Sequence, residues 1–94
     1  MLSLVLGQLR STVRVAYFLA EISALYTERH VSAAQLLKLH IGRHEIADYL
    51  GLTIETVSRS IGKLKRRNII AVVETGEVVI LDFEQLREAG KVAG

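Results

Sequence analysis

No cysteine occurs in the 94 residues, so disulfides, thiolate metal sites and a cysteine nucleophile are excluded. Such a composition suits a reducing compartment, and the expected location is cytoplasmic. Proline is absent too, and neither repeats nor low-complexity stretches are present, which leaves glycine and polar clusters to mark the turns. No hydrophobic run is long enough to span a bilayer: residues 2–9 are interrupted by Ser3, Gly7 and Gln8 and followed by Arg10 and Arg14. The same stretch lacks the basic-first order and small-residue cleavage site of a signal peptide. Half the residues are apolar and 23% charged, a globular rather than a disordered composition. One domain and one core are expected at this length.

The net charge of +2 is unevenly spread. Residues 43–68 hold six bases (Arg43, Arg59, Lys63, Lys65, Arg66, Arg67) against three acids (Glu45, Asp48, Glu55), a local balance of +3 that leaves −1 for the rest. From 59 to 67 there are five bases and no acid, a field that attracts a polyanion, or else a solvated helix face.

Apolar residues keep helical spacing over 2–26 in two stripes. One is Leu2, Leu6, Leu9, Val13, Ala16, Ala20; the other is Val15, Leu19, Ile22, Tyr26. Two stripes imply two contacts, the earlier part forming a seam toward a partner and the later part joining the core. Ser11 or Thr12 is placed to cap a fresh helix, with a break near Arg10. Residues 27–34 read as a polar loop and 35–41 as a strand with Leu37, Leu39 and Ile41 on one side. A short helix over 43–50 ends at Gly51 in a left-handed conformation. Thr53 then caps a helix over 54–67, with Glu55 near its positive end. The β-branched runs 69–73 and 78–81 flank Thr75 and Gly76 as a hairpin, and Asp82 caps a last helix over 83–89 stopped by Gly90. Helix, strand, helix, turn, helix, hairpin, helix is the order of a winged helix-turn-helix domain, mainly α with a small β-sheet, the hairpin being the wing.

On the helix from Ile54, Val57, Ile61 and Leu64 form an inward stripe, while Glu55, Ser58, Arg59, Gly62 and Arg66 lie outward. A helix entering a major groove by its N-terminal end meets guanine acceptors and a cytosine amino donor. Arg59 can fork to guanine O6 and N7, Glu55 can accept from cytosine N4, and Ser58 can bond a base or touch a thymine methyl. Glu55 and Arg59 can equally form an i, i+4 ion pair in the free chain. Gly62 leaves room for backbone to approach DNA. Arg43, His44, Thr53, Thr56, Lys63 and Arg66, with Lys65 and Arg67, are assigned to phosphates, which position a domain without reading sequence.

RHEIADYLGLTIETVSRSIGKL (43–64) resembles the helix-turn-helix signature of the Crp-Fnr family of bacterial transcription regulators, and VRVAYFL (13–19) resembles the helix before it. The resemblance covers most of the chain. The residues Glu55, Ser58 and Arg59 within it resemble the Fnr and FixK-type branch, which implies palindromes of TTGAT- or TTGAC-like half-sites. It also implies a homodimer joined by a long helix, here ending in the seam of Leu2, Leu6, Leu9 and Val13, and contact with RNA polymerase. Residues 1–11 would then close the dimerisation helix and 12–94 form the DNA-binding domain. An effector would bind the family's N-terminal β-roll, so no cofactor is expected in these 94 residues. Two positions depart from the family pattern: Gly42 stands where Thr or Ser is usual before the first helix of the motif, and Ser60 where a bulky apolar residue is common.

Two other function classes have some support in the sequence. His40 and His44 have an i, i+4 spacing that could hold a metal, but a strand-to-helix boundary lies between them and no paired carboxylate supports them, so no enzyme is expected. A winged helix can instead bind protein without DNA; the base run of 59–67 argues against it.

Overall fold

The computed structural model describes residues 2–30, 37–73 and 77–91, with side chains in the first helix described for Gly7 and for 9–26. Four helices and three short strands follow in the order α1 (Leu2–His30), β1 (Leu37–Leu39), α2 (Arg43–Leu50), α3 (Ile54–Arg66), β2 (Ile70–Val72), β3 (Val78–Ile80) and α4 (Phe83–Ala89).

α1 is one unbroken helix, so the expected break near Arg10 does not occur. The Ser11 hydroxyl donates back to the Gly7 carbonyl at 2.9 Å instead of capping a new helix, and Thr12 is buried. The helix also continues through residues 27–30, read from sequence as loop, because a polar last turn gives no periodic signal against solvent. The remainder of that expected loop, and the start of the expected strand, lie outside the described residues.

Burial divides α1 along its length rather than between its two stripes. Val15, Ala16 and Leu19 are fully buried, whereas Leu9 is 52% exposed. They pack with Leu39 of β1, Ile46 of α2, Val57, Ile61 and Leu64 of α3, and Leu86 of α4 in one core, the non-directional burial that carries most of a domain's stability. In the antiparallel sheet, ordered β1-β3-β2, Leu39 faces Val78 and Ile70 faces Ile80. Period two puts those four side chains into the core and Lys38, Ala71 and Val79 on the opposite face. The turn of Thr75 and Gly76 lies outside the described residues.

Local signals set most helix ends. Gly51 is left-handed (φ 68, ψ 33) and the Leu52 N–H reaches the Ala47 carbonyl at 2.9 Å. Gly42 has no side chain to cap α2, but the Glu45 carboxylate accepts from the Gly42 N–H at 3.2 Å, half of a capping box. Asp82 caps α4 by accepting from the Gln85 N–H at 3.0 Å.

The end of α3 has no glycine. Asn68 takes the left-handed conformation there (φ 59). The Ile69 N–H bonds the Leu64 carbonyl at 3.1 Å and the Asn68 N–H bonds the Lys65 carbonyl at 3.0 Å, the paired closure that a left-handed residue permits. Asn68→Ala is therefore expected to cost about 1 kcal/mol and Asn68→Gly to be neutral or stabilising, read by thermal melts of both variants.

Candidate nucleic-acid interface

Three residues, Gly51, Leu52 and Thr53, join α2 to α3. The Thr53 hydroxyl accepts from the Thr56 N–H at 3.1 Å and donates to the Thr56 hydroxyl at 2.8 Å, fixing the first turn of α3. Glu55 adds a carboxylate at that helix's positive end, and Lys63, Lys65 and Arg66 add cations at its negative end.

α3 has a sharp inner face, with Val57, Ser60, Ile61 and Leu64 buried. At 100° per residue, Glu55, Arg59, Gly62 and Arg66 share the opposite ridge, with Ser58 and Lys65 along one edge and Thr56 and Lys63 along the other. Glu55 and Arg59 have side chains 86% and 59% exposed, and their ion pair is long, Arg59 Nη2 to Glu55 Oε2 3.8 Å. An exposed i, i+4 pair of that kind contributes only a few tenths of a kcal/mol, so either group can exchange its partner for a ligand. A Cβ on Gly62 would stand 3.3 Å from Arg66 Nη1. The Arg66 guanidinium therefore lies over the glycine in the free chain and covers the gap expected there.

Of the other expected contact residues, His44, Thr53 and Arg66 are exposed, and Arg43, Thr56, Ser58 and Lys63 are half-buried. Val13 is half-buried as well; the side chains of Leu2 and Leu6 lie outside the described residues. At the start of α2 an open groove of about 430 Å³ is lined by His40, Gly42, Arg43, His44, Ile54 and Glu77 among others. His40 pairs through Nδ1 with Glu77, whose carboxylate also lies 3.4 Å from Lys38 Nζ. That pairing ties the end of β1 to the base of the hairpin and gives His40 a structural partner other than His44.

Two further residues position the site, and the sequence did not single them out for that role. Ser60 is 2% exposed and accepts from the buried Thr12 hydroxyl at 3.3 Å, joining α1 to the middle of α3. A small polar residue thus fits where the family pattern has a bulky apolar one. Arg14 of α1 donates through Nη2 to the Leu50 carbonyl at the end of α2. Neither link leaves a spacing signal, since each joins residues more than thirty positions apart.

The model of the Crp-like helix-turn-helix domain matches residues 13–89. The chain belongs to the Crp-Fnr family. This Crp-Fnr domain is 44% identical over 84 residues to the nitrogen fixation regulation protein FixK of Rhizobium meliloti, an alignment covering 89% of this chain and 37% of FixK. With the transcriptional activator protein FnrL of Cereibacter sphaeroides it shares 39% identity over 88 residues, 90% of this chain and 36% of FnrL. The chain thus spans little more than a third of the length of these curated relatives. The solved structure of FixK2 from Bradyrhizobium japonicum superposes with a TM-score of 0.64 at 32% identity, over 89% of this chain and 40% of that one. These relatives are regulators rather than enzymes. Among the described residues no cluster of three His, Asp or Glu is arranged to hold a metal ion, and no helix is long and apolar enough to cross a membrane.

Proposed function

We propose that this Crp-Fnr domain reads double-stranded DNA by placing the N-terminal half of α3 in the major groove of TTGAT- or TTGAC-like half-sites, acting within a homodimer. The observation that carries the reading is the exposed Glu55–Arg59 pair on the outward ridge of α3. A carboxylate there would repel a phosphate groove, so its place beside a guanidinium supports base reading over simple phosphate attraction. Arg59 forks to guanine, Glu55 accepts from the cytosine amino group, and Ser58 meets a neighbouring base. Arg43, His44, Thr53, Thr56, Lys63 and Arg66 take phosphates on either side, with the groove at the start of α2 open to one of them.

In the whole protein, residues 1–11 close a dimerisation helix through Leu2, Leu6, Leu9 and Val13, and 12–94 form the DNA-binding unit. The 52% exposure of Leu9 supports a partner on that seam. The full protein works in the cytoplasm and contacts RNA polymerase from its promoter site, and any effector binds outside these 94 residues.

Gel shifts against a TTGAC palindrome and guanine-substituted duplexes, over a range of salt concentrations, test the reading. The chain should prefer the palindrome, and its affinity should fall with salt. Lys63→Ala should weaken all duplexes about equally and reduce the salt slope by about 1, as a phosphate contact requires. Equal, salt-independent affinity for every duplex would favour a protein-binding winged helix instead.

A further inference from the structure

We propose that Arg14 is a positioning residue for base reading: by capping the C-terminal carbonyl of α2 from α1, it sets the angle at which the first turn of α3 meets the duplex. The inference rests on the DNA reading above.

α2 has only eight residues, none of them basic in its last turn. The linker N–H groups take the Ala47 carbonyl, the Leu50 carbonyl takes its donor from elsewhere, and the negative end of the helix favours a cation. Arg14 supplies both, a donor to the Leu50 carbonyl and a positive charge. One turn further along α1, the Phe18 ring packs against Tyr49, with centroids 4.9 Å apart and planes at 41°. Side chains at i and i+4 of α1 thus hold the last two residues of α2.

Little slack separates that grip from the reading face. The Leu52 N–H is bonded to the Ala47 carbonyl, and Thr53 is engaged with Thr56, so a shift of Leu50 is passed through the three linker residues to the first turn of α3, which carries Glu55. α3 is tied separately to α1 at Ser60, through Thr12. Without Arg14 that tie remains as a pivot, and the N-terminal end of α3 is the part free to tilt. A two-pronged guanidinium contact tolerates little tilt, whereas contacts to phosphate tolerate more. Loss of Arg14 should therefore lower discrimination between bases and spare general DNA affinity.

The competing account is that Arg14, an exposed cation, simply touches a phosphate. Anisotropy titrations of the 94-residue chain distinguish the two, using wild type, Arg14→Ala and Arg14→Lys with the TTGAC palindrome and its guanine-substituted form across a salt series. Amide spectra of Gly51 and Leu52 are recorded alongside. For Arg14→Ala the expected result is a roughly 3- to 10-fold loss of discrimination, the scale of one ordinary hydrogen bond. The salt slope should stay unchanged and the two amides should move. Arg14→Lys, which keeps the charge and a donor, should restore most of the discrimination. Should Arg14→Ala fold poorly, Arg14→Met, which keeps the apolar stem but neither the donor nor the charge, carries the same comparison. A wild type that discriminates together with an Arg14→Ala that discriminates equally well overturns the inference alone. So does an equal loss on both duplexes with the slope reduced by about 1, or a failure of lysine to restore. A wild type with no preference overturns the DNA reading and this inference with it.

Discussion

Arg59→Ala is expected to weaken binding to a TTGAC duplex by about 1–3 kcal/mol, roughly 5- to 150-fold, and to leave binding to the guanine-substituted duplex nearly unchanged. The loss falls on recognition rather than folding. Arg59 has a 59% exposed side chain, and its charged partner among the described residues is the loosely held Glu55, so its removal should move the thermal midpoint little. Arg59→Lys separates charge from shape. Lysine keeps the attraction to phosphate but cannot fork to O6 and N7. It should therefore recover general affinity and salt dependence but not the preference for guanine. Affinities of the three forms for both duplexes, measured at one salt concentration, check these expectations.

The second large effect concerns stability. Gly90, directly after α4, lies so close to α1 that a Cβ there would stand 2.7 Å from both the Cα and the N of Tyr17. Its φ of −87 is ordinary, so the conflict is one of packing, and the atoms met are backbone that cannot swing aside. Gly90→Ala should cost about 1–3 kcal/mol. For a domain of this size that lowers the melting midpoint by about 4–8 °C per kcal/mol. Gly62→Ala is the natural control. Its Cβ would meet only the mobile tip of Arg66 at 3.3 Å, and replacing glycine with alanine inside a helix stabilises by roughly 0.5–1 kcal/mol. The same substitution should thus act in opposite directions at the two glycines, as paired thermal melts would show.

Much of the fold was legible because its boundaries are set locally. Gly51, Thr53, Asp82 and Gly90 each act within a few residues, through a left-handed turn, a hydroxyl or carboxylate cap, or a stop, and the helices they bound fall where expected to within one residue at the end of α3. The ridge of α3 was legible for a similar reason: once Val57, Ile61 and Leu64 face inward, helical geometry places Glu55 and Arg59 outward. The extent of α1 was not. Ser11 is equally suited to capping a helix or to bonding back inside one, and only continuation of the backbone decides between them. The left-handed Asn68 does carry a local signal, since asparagine is the usual substitute for glycine at that position. Contacts between distant segments were invisible in principle. The antiparallel pairing of β1 with β3, the Thr12–Ser60 bond, the Arg14 cap on Leu50 and the approach of Gly90 to Tyr17 depend on how elements meet, and no local spacing encodes them.

The central claim, that the ridge of α3 touches base edges, can be tested one atom at a time. Substituting 7-deazaguanine for the half-site guanine removes the N7 acceptor while keeping the base pair. Binding of wild type and Arg59→Ala to both duplexes completes a double-mutant cycle. The account predicts that the modified base weakens wild type by about 1 kcal/mol or more and leaves Arg59→Ala unaffected. Equal losses for both proteins, or none for either, would contradict it.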